Sequence, residues 1–199
     1  MTLDSAHLPP IVAVVSPKGG SGKTAIASNL ALAFAQRTPS VLVDLDMYSG
    51  DLEWAFGVQP AYRLHDVARR LREDASSELD GMFTSRGANL SLLCSPDSHI
   101  AADGVLGSDM SSITRRLVDL HRPVVLDTSP GMSDFTLDAI ETASRIVLVT
   151  TTDVASVQAA RKLLDTMSAL RLDTGRVALV VNRSTCLLYT SPSPRDVEE

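Results

Sequence analysis

A chain of 199 residues, 44% hydrophobic and 21% charged, can bury one core without help from disulfides or metals, and it reads as one domain. Aromatic residues supply only 4%, so that core is built from Val, Leu, Ile and Ala, as in a buried parallel sheet. The net charge of −6 excludes a general attraction for nucleic acid or an anionic membrane surface and leaves room only for a local basic patch.

The opening residues, MTLDSAHLPP, contain no basic residue and no long apolar run. They exclude a secretory signal and read as a flexible leader over 1–10. No stretch approaches the roughly 20 apolar residues of a membrane-spanning helix. Cys94 and Cys186 lack metal or redox spacing, which points to reduced thiols in a cytoplasmic protein.

From residue 11 onward, short apolar runs alternate with helical periodicity, the pattern of an α/β fold with a mainly parallel, twisted sheet and helices on both faces. Strands are predicted at 11–16, 40–45, 90–94, 123–127, 145–151 and 176–182, and helices at 24–36, 64–73, 110–121, 133–143 and 154–170. In the last helix Val157, Ala160, Leu164 and Met167 recur at 3.6-residue spacing, with Asp153 placed to cap its first turn. The strands end in Ser, Asp, Thr or Asn, so polar groups gather at the carboxyl rim of the sheet, where open α/β folds bind ligands.

Three segments on that rim carry chemistry. The first, SPKGGSGKT, follows a strand and opens a helix, so the backbone N–H groups of Gly19, Gly20, Ser21 and Gly22 can converge on phosphate oxygens. Lys23 would bridge the β and γ phosphates of ATP, and the Thr24 hydroxyl would bind Mg²⁺; the general pattern wants a small residue where Pro17 stands. In the second, VLVDLD, Asp44 and Asp46 stand two apart at a strand end and can face the same site. The third, PVVLDTSPG, is an apolar strand ending in Asp127, a carboxylate suited to the Mg²⁺ shell. Together these give a P-loop NTPase reading.

Lys18 makes the loop more specific. With it, KGGSGKT resembles the deviant Walker A loop of the ParA/MinD family of ATPases, K-G-G-x-G-K-[ST]. The resemblance covers nearly all of 11–183 and includes VDLD, DTSPG and VALVVNR. It implies Mg²⁺-dependent ATP binding and slow hydrolysis, coupled to a homodimer that sandwiches the nucleotide. By the same resemblance Lys18 reaches the partner's phosphates, Asp46 orients the attacking water, and Asp44 supports the metal region less directly. The Gly131 N–H would sense the γ phosphate, although Ser129 stands where many relatives carry proline. Asn182 would pair with adenine; its alternative is a strand-ending turn asparagine. Asp51 either orders the loop after Asp46 or caps the helix beginning LEWAF.

Within the family, VDLDMYSGDLEWAFGV, ANLSLLCSPDSHIAADGV and VVLDTSPGMSDFTLDAIETASRIVLVTTTDVASVQAARKLLD look most like the CpaE/TadZ branch, which serves assembly and polar placement of Flp/Tad-type pili. That implies pilus-assembly or polar-localisation proteins as partners, with recruitment to membrane or cell pole through them. Such chains often carry a receiver-like domain ahead of the ATPase, and some have degraded Walker loops, unlike this one. The competing readings are a chromosome or plasmid partition ATPase that binds DNA non-specifically, and a non-hydrolysing nucleotide-bound scaffold.

The remaining features are structural readings. Arg69, Arg70 and Arg72 precede Glu73 and Asp74, the pattern of a solvated face rather than a DNA contact. Trp54 is read as core or dimer-side packing, the four dispersed histidines suggest no metal site, and Cys94 lacks a second cysteine near Asp127 for a shared cluster. From Cys186 to Asp196 the chain reads CLLYTSPSPRD, which resembles the translation of a sequencing-library transposon adapter. Residues 184–199 are therefore expected to be non-native and the ATPase domain, 11–183, to be C-terminally truncated. DNA-binding or membrane-binding terminal helices would fall in the missing part, so both contacts stay open.

Overall fold

The computed structural model describes residues 10–184; nearly all of the expected leader and the segment from 185 onward, where the adapter reading falls, lie outside the described residues. Seven strands form one sheet: β1 (Ile11–Val15), β2 (Ser40–Leu45), β3 (Thr84–Arg86), β4 (Leu90–Leu93), β5 (Val124–Thr128), β6 (Arg145–Thr151) and β7 (Val177–Asn182). Their spatial order is β3-β4-β2-β5-β1-β6-β7. Every pairing is parallel except that of β3, a short antiparallel edge on β4. The predicted α/β architecture is present, and so is the adjacency its chemistry requires: Val14 of β1 and Asp44 of β2 both stand beside Asp127 of β5.

Side chains alternate across a strand, and here the alternation sorts them into two apolar layers. Ile11, Ala13 and Val15 join Val41, Val43 and Leu45 on one face, packed with Val67 and Leu71, Ile113 and Leu117, Ile140, and Leu163 and Met167. Those residues come from α3 (Leu64–Glu73), α5 (Gly107–Val118), α6 (Asp134–Thr142) and α7 (Val154–Ala169). Val14, Leu42 and Val125 face the other way and meet Ala27 and Ala31 of α1 (Lys23–Ala35). Small residues on α1 let its axis lie close to the sheet, directly after the glycine-rich loop. Leu42, fully buried between sheet and helix, is a position where truncation to Ala would cost about 2–5 kcal/mol.

Some boundaries differ from those read in the sequence. Helix α5 starts at Gly107 rather than 110, because the Asp109 carboxylate accepts the Leu106 N–H at 2.8 Å and fixes an earlier first turn. Helix α2 (Leu52–Phe56) is the helix beginning LEWAF that the capping alternative for Asp51 implied, whereas strand β3 and the short helix α4 (His99–Asp103) were not predicted; each spans too few residues to show a period. Trp54, on α2, is 79% exposed, which overturns its reading as a core residue. Asp153 caps α7 as expected, accepting the Ser156 N–H at 2.9 Å. Arg69, exposed, pairs with Asp66, and Arg72, also exposed, reaches the buried Asp109, so the arginines themselves lie on the solvated face predicted for that cluster.

Candidate functional site

Because β1, β5 and β2 lie side by side, the loops leaving their carboxyl ends share one rim. The loop after β1 runs into α1, whose N-cap is Gly22 at φ +89°; among the described residues no side chain caps this helix, and no acidic residue occupies its first turn. Its first N–H groups therefore remain open to an anion, in contrast with the Ser133 and Asp153 caps of α6 and α7. Gly20 also has positive φ, at +75°, so the loop folds through two conformations that non-glycine residues avoid.

A cavity of about 460 Å³ opens over this loop, with Lys18, Lys23, Thr24, Asp46, Asp51 and Arg183 among the residues on its wall. The backbone of Gly19, Gly20, Ser21 and Gly22 completes the same wall. A larger groove of about 590 Å³ lies along the far end of α1, near Leu32 and Asn89, but it has no glycine-rich backbone and no lysine. The smaller cavity is therefore the candidate site.

Lys23 is buried, and its Nζ lies 2.7 Å from Asp127 Oδ1. Burial raises the Asp127 pKa above the ordinary carboxylate value, while the Lys23 charge and hydrogen bonds from Lys23 and Thr24 pull against that rise. Asp44 stands one strand away and is equally buried. Burial, reinforced by the charge of Asp127, pushes its carboxyl up to about 7. Two neighbouring buried carboxyls favour binding a cation or a proton. Among the described residues, no group of three or more His, Cys, Asp or Glu side chains forms a metal cage. Any Mg²⁺ here would take its remaining ligands from phosphate and water, as is usual for that ion.

Asp44 is not on the cavity wall. Its Oδ1 accepts the Asp46 N–H at 3.0 Å and its Oδ2 the Leu52 N–H at 3.4 Å, so it pins both ends of the intervening loop. Asp46 leaves the regular strand and reaches the cavity, where it accepts the Ser49 N–H at 3.3 Å. Asp51 makes no side-chain cap on α2 and lies exposed on the cavity wall, which favours its loop reading. Lys18 is exposed on the same wall; its charge contributes to holding the Asp153 carboxyl well below the usual range, after the hydrogen bonds from Ser156 and Thr151.

Two expected residues are engaged differently. The Gly131 N–H donates to Ser16 O at 2.9 Å, so in this conformation it is not free to sense a phosphate. Asn182 donates from Nδ2 to Ser21 O at 2.9 Å, a contact with the loop itself. Sequence reasoning missed Arg183 as a wall residue, although its place after the strand-ending Asn182 was a usable signal. Cys94 is buried beside Asp44, and burial pushes its thiol up to about 11. That excludes it as a thiolate nucleophile.

The fit to a nucleoside triphosphate rests on the uncapped helix, the two positive-φ glycines, the buried lysine and the buried Ser21 hydroxyl, which has no hydrogen-bond partner among the described residues. Residues 10–178 match the model of a family described as an AAA domain. The chain is 28% identical over 176 residues to the septum site-determining protein MinD of Synechocystis, covering 87% of this chain and 64% of that protein. It thus spans a little under two thirds of the relative. In structure it resembles a ParA family ATPase from Chlorobium tepidum, with a TM-score of 0.82 at 23% identity, covering 88% of this chain and 75% of that one. It also resembles MinD of Pyrococcus horikoshii complexed with Mg-ADP, with a TM-score of 0.71 at 19% identity and coverage of 86% and 68%.

Proposed function

The chain belongs to the AAA-domain family of ParA/MinD-type P-loop ATPases, and from that premise we propose that it binds ATP with Mg²⁺, dimerises around the nucleotide and hydrolyses it slowly. The observation that carries this reading is one cavity bringing together the loop glycines, Lys18, Lys23, Thr24 and Asp46.

Each residue has a role set by its position. The loop backbone and Lys23 neutralise phosphate charge from within the subunit, where burial strengthens every electrostatic contact. Thr24 and Asp127 would hold the magnesium shell, which supplies further charge neutralisation on the transferred phosphoryl group. Asp44 acts at one remove by fixing the loop that presents Asp46. Asp46, half-buried at the cavity edge, orients water. Among the described residues neither histidine nor glutamate lines the cavity, and an aspartate is a weak base, so turnover is slow. Lys18 stands exposed at the mouth, free to reach a second copy.

We further infer that this switch serves assembly or polar placement of Flp/Tad-type pili. Support comes from the resemblance of the segments around Asp46, Cys94 and Asp127 to that branch, with pilus proteins as partners. The deciding experiment measures ATP-dependent dimerisation by light scattering, single-turnover phosphate release with Mg²⁺, and salt-dependent retention on DNA. Dimerisation and slow release without DNA retention support the proposal. Salt-sensitive DNA retention would move the chain to the partition reading. Dimers that release no phosphate would make it a nucleotide-bound scaffold.

A further inference from the structure

Asn182 ends β7 and, in the reading above, faces adenine. Its geometry serves the phosphate loop as well. The amide Nδ2 donates to Ser21 O at 2.9 Å, while Oδ1 accepts the Arg183 N–H at 2.9 Å. One amide hydrogen and one oxygen lone pair are left for any base. The contact with the loop is close: a Cβ placed on Gly22 would collide with Asn182 Nδ2. Gly22 is thus required twice, for its positive φ and for the approach of this amide.

The consequence follows from the planarity of a trans peptide, in which C=O and N–H point in opposite directions. Asn182 holds the Ser21 carbonyl toward β7. The N–H of the same peptide, on Gly22, then points away from β7, and Gly22 lines the phosphate cavity at the start of α1. We propose that Asn182 is a positioning residue that sets the Ser21–Gly22 peptide and thereby aims a phosphate-binding N–H, so phosphate affinity depends on a side chain that touches no phosphate. This rests on the nucleotide-site reading and goes beyond recognition of the base.

The test compares the full chain with Asn182→Ala, using titration calorimetry with Mg-tripolyphosphate, ATP and GTP. Tripolyphosphate has no base, so a pure adenine reader would leave its affinity unchanged. The expected result is a loss of about tenfold for tripolyphosphate, equivalent to about 1.4 kcal/mol, with ATP and GTP falling by at least that factor. Unchanged tripolyphosphate affinity alongside lost ATP preference would overturn the inference while leaving the nucleotide site intact. Failure of the parent chain to bind any of the three would instead overturn the nucleotide-site reading, and the inference with it. Amide hydrogen exchange without ligand gives a second readout that does not depend on binding. Exchange at residues 20–24 should accelerate in Asn182→Ala relative to α5 in the same molecule, and equal acceleration in both, or none, would count against a local role.

Discussion

Lys23 Nζ and Asp127 Oδ1 lie 2.7 Å apart with side-chain exposures of only 8% and 1%, so the loop lysine and the β5 carboxylate neutralise each other inside the protein. An incoming phosphate must share that ammonium with Asp127 or draw it away. The pair also holds α1 to the sheet, because its partners come from the first residue of the helix and from β5. Removing either member leaves a buried charge alone, which typically costs about 3–5 kcal/mol. Lys23→Met and Asp127→Asn should each destabilise the ligand-free protein on that scale. The double variant should lose clearly less than the sum, because the second substitution removes the charge stranded by the first. Urea unfolding without nucleotide or magnesium measures the cycle, and additive losses would show that the two groups act independently.

Gly50 gives the second prediction. Its constraint is space rather than dihedral angle: a Cβ there would enter the van der Waals envelopes of Asp44 Oδ2 and Ser95 Oγ, both on buried residues. Asp44 anchors the loop from Asp46 to Leu52 through two N–H groups, so Gly50→Ala must displace the anchor or the loop. The expected effect is a loss of about 1–3 kcal/mol in stability and a fall in phosphate release larger than any fall in ATP affinity, since Asp46 moves while Lys23 does not. Equal losses in binding and release would place the damage in the phosphate loop instead.

The sequence made the frame readable wherever a period was long enough to see. The six long strands and the five longer helices follow from alternation and from 3.6-residue spacing, and the strand-ending polar residues located the rim. Strand β3 and helix α4 were not readable, since three to five residues cannot display a period against their surroundings. The site was legible as residue types but not as partnerships. VLVDLD suggested two carboxylates facing one site, yet the backbone turns at Asp46, leaving Asp44 to bind N–H groups beneath it. Asn182 was legible as an amide at a strand end. That it would meet Ser21, 161 residues earlier, depends on β7 lying beyond β6 at the sheet edge, which no local pattern encodes.

The two lysines of the loop supply the last prediction, because their surroundings differ so strongly. Lys23 is buried against Asp127, whereas Lys18 is exposed at the mouth of the same cavity. A cation inside the loop contributes to binding within one subunit, so Lys23→Ala should weaken ATP binding at least tenfold in a monomer titration. An exposed lysine contributes little to the monomer, where solvent screens it. Lys18→Ala should therefore leave monomer affinity within about twofold while abolishing ATP-dependent dimerisation and phosphate release. Asp46→Ala should dimerise and retain ATP unhydrolysed, since it removes the carboxylate proposed to orient water without touching either lysine. Nucleotide titration and light scattering on the three variants separate these outcomes. If Lys18→Ala dimerises and releases phosphate like the parent, the trans role of this lysine fails and the chain reduces to a P-loop protein with an incidental surface charge.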